Sequence, residues 1–169
     1  NVLICTLFKG QNIRITPHSN DKINIFDIKR NYTEGGENAV ELKVGFMANF
    51  CEIAKGSSIT PEERSIIGRC VKRIYSTYLT TGREEDLPTF RTFWEEIKRQ
   101  PEIEAKNLSL ILEYYANGNY FFDGHTNVDL GNRYVNIDLS ATGDEKTLSM
   151  SVILELVWQQ VYENHKMKI

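Results

Sequence analysis

Arg64, Arg69, Lys72 and Arg73 are the side chains whose type and spacing could most readily do chemistry in this sequence. On an α-helix the last three share one face at three- and four-residue intervals, and Arg64 lies about a turn earlier. Such a face can meet phosphate groups or an acidic partner. The plainer reading is a solvated helix face that pairs with nearby glutamates. Exposed aromatics do not interleave with the cations, which argues against a stacking platform for single-stranded nucleic acid.

A second stretch, Ser140 to Thr147, follows a candidate strand and opens a helix, the setting of a phosphate-binding loop that ends in Lys-Thr. That motif needs glycine directly before the lysine and again five residues earlier, so that backbone amides can wrap the phosphates. Here Glu145 and Ser140 occupy those places, and a carboxylate would repel phosphate. Asp138, near the end of the strand, could hold Mg²⁺ in a nucleotide site. Its alternation with Val135 and Ile137 is explained more simply by a strand with one solvated face. Cys5, Cys51 and Cys70 are odd in number and widely spaced, so they read as buried thiols in a reducing compartment. His18, His125 and His165 match no metal-ligand spacing, and no nucleophile elbow, His-Glu-x-x-His or Cys–His pair is present. Catalytic, cofactor-binding and metal-binding residues are therefore all assigned as none.

With 41% hydrophobic and 25% charged residues in 169, the composition is that of one globular core. A formal charge of −3 gives no global attraction to nucleic acid or anionic lipid, so such contacts would need a local patch. No apolar run reaches membrane-span length, so direct membrane insertion is not expected. The sequence begins at Asn1 without an initiator Met or a basic leader region and ends just after a strong helix, so it reads as a fragment.

The elements that must position these residues centre on Thr60 to Leu79. Thr60 and Glu63 form a capping box, Pro61 sits in the first turn, and Gly82 is the stop. Ile67, Cys70, Val71, Ile74, Tyr78 and Leu79 make its apolar side. Before it, Ala39 to Ala54 carries Val40, Val44, Met47, Cys51 and Ala54, flanked by Phe46, Phe50 and Ile53, and should pack on that side. After the solvated acidic run Glu84 to Asp86, Phe90, Phe93, Trp94 and Ile97 mark a third helix. Pro101 separates it from Glu102 to Asn117, with a stop at Gly118. Val2 to Phe8 reads as the end of a helix stopped at Gly10, or equally as a strand. Asn12 to Thr16 and Tyr134 to Leu139 alternate as strands, and Ile23 to Ile28 is extended. Asn31 to Asn38 is a loop, and Asn119 to Asn132 is irregular and aromatic. Leu148 to Tyr162 is a helix apolar nearly all round, which predicts cover on several sides. The order predicts an α+β, mostly helical chain, with four helices inserted into an α/β sheet.

Gly10–Pro17, Ile23–Ile28, Ser58–Ile67, Thr126–Leu130 and Val157-Trp158, in this order and spacing, resemble the ATPase component of type IV secretion and conjugation machinery, the CagE/TrbE/VirB family. The resemblance spans nearly the whole chain. It implies a RecA-like motor whose helical subdomain, 31–129, is inserted between core pieces 1–30 and 130–169. It further implies a bacterial parent that uses ATP and Mg²⁺ at the cytoplasmic face of the inner membrane. Its partners would be other copies of the ATPase and further secretion components, with DNA among the transferred substrates. The family's phosphate loop would precede Asn1 and its acidic strand would follow Ile169, so no catalytic residue carries over. The other reading is a free-standing helical module whose basic face, Arg64, Arg69, Lys72 and Arg73, docks an acidic partner or nucleic acid.

Overall fold

The computed structural model describes residues 6–16, 19–28, 39–118, 120–128 and 134–166, with 161–166 described by backbone alone. Cys5, His18, the loop at 31–38, both boundaries at 30/31 and 129/130, and the side chains of Val161, Tyr162 and His165 lie outside the described residues.

Thr6 and Leu7 are helical, and the Lys9 amide donates to the Thr6 carbonyl at 3.1 Å. For the described part of Val2 to Phe8 the helix-end reading holds, but the left-handed residue is Lys9, at φ 54°, one place before Gly10. The chain then enters β1 (Gln11–Arg14), which pairs in parallel with β2 (Val135–Asp138), Gln11 opposite Val135 and Arg14 opposite Asp138. Parallel strands need a long crossover, and here the crossover is the whole helical middle. Ile13 and Ile15 turn inward and are buried, as alternation predicts. In β2 all four residues are half-buried instead of dividing into a dry and a wet face. Val135 and Ile137 still face the core but pack against it only partly.

In the middle, α1 (Ala39–Lys55) ends at Gly56, whose φ of 71° supplies the left-handed stop. The reciprocal box of α2 (Pro61–Ile74) is complete: the Glu63 amide donates to Thr60 Oγ1 at 3.2 Å, and the Thr60 amide to Glu63 Oε2 at 2.8 Å. Glu63 is itself buried and also receives Lys55 Nζ at 2.8 Å, tying the end of α1 to the start of α2.

The pattern predicts one helix from Thr60 to Leu79, but the chain splits it at Tyr75. The Tyr75 amide reaches the Val71 carbonyl only at 3.4 Å, while the Ser76 hydroxyl donates to the Arg73 carbonyl at 2.7 Å. A side-chain hydroxyl thus competes for the ladder where the helix breaks. Beyond the break α3 (Ser76–Thr81) keeps Tyr78 buried but exposes Leu79, which the periodicity places on the apolar side. Gly82, at φ 66°, ends it.

α4 (Phe90–Lys98) and α5 (Ile103–Asn117) complete the middle, which so holds five α-helices instead of four. Phe90, Phe93, Trp94 and Ile97 are all buried, and Trp94 Nε1 donates to the Ser109 carbonyl at 2.9 Å. Gly118 is not a left-handed stop; its φ is −83°. It is needed for space, because a Cβ there would come within 2.4 Å of the Tyr120 ring.

The irregular stretch after it drives Tyr120, Phe121 and Phe122 into the core. Phe50 is surrounded by Phe90 and Phe122 at 5.4 Å and Tyr115 at 6.2 Å between ring centroids, in tilted and edge-on contacts. Last, α6 (Lys146–Lys166) buries Leu148, Val152, Ile153 and Leu156. Cover on several sides is not found: Met150, Leu154, Val157 and Trp158 form one exposed stripe, with Trp158 64% exposed.

Candidate functional site

The basic face of α2 is built as the spacing predicts, but it is not a field of free cations. Arg69 Nη2 lies 2.6 Å from Glu102, Lys72 Nζ 2.7 Å from Glu41, and Arg73 Nε 3.4 Å from Glu96. These carboxylates come from the start of α5, from α1 and from α4, so the face works as a strut between helices. Glu102 holds the Arg69 guanidinium above its ordinary pKa, and Arg69 holds the Glu102 carboxyl below its own. Arg64 is exposed, and none of the described ion pairs includes it.

The loop from Ser140 to Thr147 is closed on itself. The Thr142 hydroxyl and amide both donate to the Leu139 carbonyl, and the Glu145 amide donates to the Thr142 carbonyl at 3.1 Å. The Glu145 carboxylate helps to raise the pKa of Tyr115, up to about 12, after burial as the larger cause. Asp138 Oδ1 accepts the Ser140 amide at 2.9 Å, which is the main reason its carboxyl lies below the ordinary range. The described residues include no group of three His, Cys, Asp or Glu side chains able to hold a metal. Cys51 and Cys70 are buried, and desolvation pushes both thiols up, Cys70 to about 12.

One polar cluster among the described interior residues is not singled out by periodicity. It surrounds the extended segment Ile23–Ile28, which leads from β1 toward the helices. Lys43 on α1 is 2% exposed, and its Nζ donates to the Ile25 carbonyl at 2.8 Å and to Glu155 of α6 at 3.1 Å. The Tyr75 hydroxyl donates to the Phe26 carbonyl, and Asn24 Nδ2 to the Pro88 carbonyl at 2.9 Å. From the other side the Asn24 amide donates to Thr126 Oγ1, and the Thr126 hydroxyl to Asp27 Oδ2.

Desolvation lowers the pKa of Lys43 and raises that of Asp27, each opposed by the other's charge. A lysine with a lowered pKa is a candidate base or nucleophile. Lys43, however, already directs its ammonium at a carbonyl and a carboxylate, and it does not line the adjacent open pocket of about 250 Å³, whose walls include Asp27, Glu84, His125 and Thr126. The cluster is a polar clasp that fixes the segment 23–28 to α1, to Tyr75 at the end of α2 and, through Lys43, to α6. Its sequence signal is confined to the quoted stretches 23–28 and 126–130, which supply Asp27 and Thr126.

No family model and no curated protein matches the chain. Among solved structures, VirB4 of Thermoanaerobacter pseudethanolicus superposes with a TM-score of 0.76 at 18% identity. The match covers 96% of this chain and 66% of that one, so the chain spans just under two thirds of the VirB4 chain it matches. The neighbour carries the VirB name, the family that the five sequence stretches resemble. At this identity the likeness is one of architecture, and the chain has the fold of the corresponding segment of VirB4.

Proposed function

We propose that the chain is a non-catalytic segment of a type IV secretion ATPase. In this reading residues 31–129 are the helical subdomain, carried between two pieces, 1–30 and 130–169, of a RecA-like core. The observation that carries it is the parallel pairing of β1 with β2 across the helical middle, in a fold that matches VirB4 over 96% of the chain. ATP and Mg²⁺ belong to parts of the parent outside this segment. The parent works at the cytoplasmic face of the inner membrane with other copies of itself and further secretion components. It powers assembly or substrate transfer, DNA included. No described helix is long and apolar enough to cross a membrane.

The test compares the product of the whole reading frame with the segment alone. The whole product should hydrolyse ATP, and the segment should show no saturable ATP binding by calorimetry, since Glu145 stands where a phosphate loop needs glycine. Micromolar ATP binding by the segment, or a whole product without hydrolysis, would overturn the reading.

A further inference from the structure

The corner between α4 and α5 carries an open groove of about 540 Å³, lined among others by Lys98, Pro101, Glu102, Ile103, Lys106 and Leu110. Along the same helix Ile103, Leu110 and Tyr114 are 61%, 60% and 63% exposed. Their spacing of seven and then four residues sets them in one line over about three turns. Single exposed apolar residues are ordinary, but three in line beside a groove form a continuous surface.

Its charges are one-sided. Glu102 is offset by Arg69 at 2.6 Å, and its Oε2 is buried without a hydrogen-bond partner. Lys98 Nζ lies 4.3 Å from the centroid of the Trp94 ring, and none of the described ion pairs includes it. Lys106 stands between Ile103 and Leu110, and none of the described ion pairs includes it. The uncompensated charge of the groove is thus positive and concentrated at the Pro101 end, while the exposed Glu113 lies at the Tyr114 end.

We infer that this groove docks an amphipathic helix of a partner protein, with its apolar stripe on Ile103, Leu110 and Tyr114 and its carboxylates on Lys98 and Lys106. This is the helix-in-groove mode, with charge setting the direction. Two lysines flanking an apolar floor, with Glu113 at the far end, suit a polypeptide and not a phosphate backbone, which needs a run of cations. The partner's acidic end lies over Pro101, beside Lys98 and Lys106.

The probe is a synthetic helical peptide with leucines at three- and four-residue spacing and glutamates along one flank, set against its twin with lysine at every glutamate. Fluorescence anisotropy should show saturable binding of the acidic peptide and none of the twin. Amide NMR shifts should cluster at Ile103, Lys106, Leu110 and Tyr114. Reversing both lysines, Lys98→Glu with Lys106→Glu, should weaken binding about tenfold or more, the equivalent of two modest surface ion pairs. Leu110→Asp should abolish it, while circular dichroism melts show both variants folded. Absence of saturable binding, equal binding of the twin, or shifts centred on Met150 and Trp158 would each overturn the inference. So would a dimer of the chain alone that Leu110→Asp dissolves, which would make a second copy the occupant.

Discussion

The helices α1, α2, α4 and α5 close on one another around Phe50, Phe90, Phe93 and Tyr115, whereas β1, β2 and α6 are finished on one side only. Every one of those four rings is buried, while α6 leaves Met150, Leu154, Val157 and Trp158 facing outward and β2 buries nothing fully. Both regions belong to one polypeptide of ordinary composition, so the difference lies in where the partner atoms are. The middle supplies its own around those rings, and leaves bare only outer positions such as Leu79, Ile103, Leu110 and Tyr114. The sheet and α6 leave one side facing outward, and Lys43 and the segment 23–28 bind the two regions together.

The strongest way to break this contrast is to truncate a ring in the middle. Phe50→Ala should cost about 3–5 kcal/mol by urea unfolding, while Leu154→Ala on the bare stripe should stay within about 0.5 kcal/mol. Equal losses would mean that α6 is covered in solution. Next comes the tie between the regions. Glu155→Ala leaves the buried Lys43 ammonium without its carboxylate and should cost about 2–3 kcal/mol, discounted because Glu155 is partly exposed. Replacing both partners by apolar side chains, Lys43→Met together with Glu155→Leu, should recover most of that loss, and hydrogen exchange should show α6 loosening before α1 in the single mutant.

At the start of α2, Thr60→Ala should cost about 1 kcal/mol. Glu63→Ala should cost more than that, since it also strands Lys55, and the double mutant should lose less than the sum. Additive losses would dissolve the reciprocal box. The smallest effect is one of pH. Burial raises the pKa of Asp27 above its ordinary 3.8. Its contribution to stability is therefore full below pH 3.8 and is lost as pH rises through the raised folded value. Asp27→Asn should remove this slope from urea midpoints measured between about pH 3 and 7; an unchanged profile would place the carboxylate in water.

What could be read from the sequence follows the same divide. The box at Thr60 and Glu63, the stops at Gly56 and Gly82 and the stripe from Phe90 to Ile97 are local, and each stands where the residues put it. Lys43 is invisible to such reading because periodicity counts lysine as a solvent residue, and its carboxylate lies 112 positions away. The split at Tyr75 depends on a hydroxyl choosing a carbonyl, which no apolar pattern records. For α6, apolar residues on every side could not say which side meets the protein. Pairing of the basic face with glutamates follows from the sequence, but not that Glu41, Glu96 and Glu102 would come from different helices or their caps.

The short parallel ladder also decides where mechanical load goes. Tension entering along the chain ahead of Gln11 and leaving beyond Asp138 pulls β1 and β2 in opposite directions along their length. It loads their hydrogen bonds together, in shear. The crossover between them, with all five helices of the middle, hangs outside that path. Until the ladder ruptures, the two four-residue strands share the load with the Lys43–Glu155 tie between α1 and α6, and most of the helical body is spared.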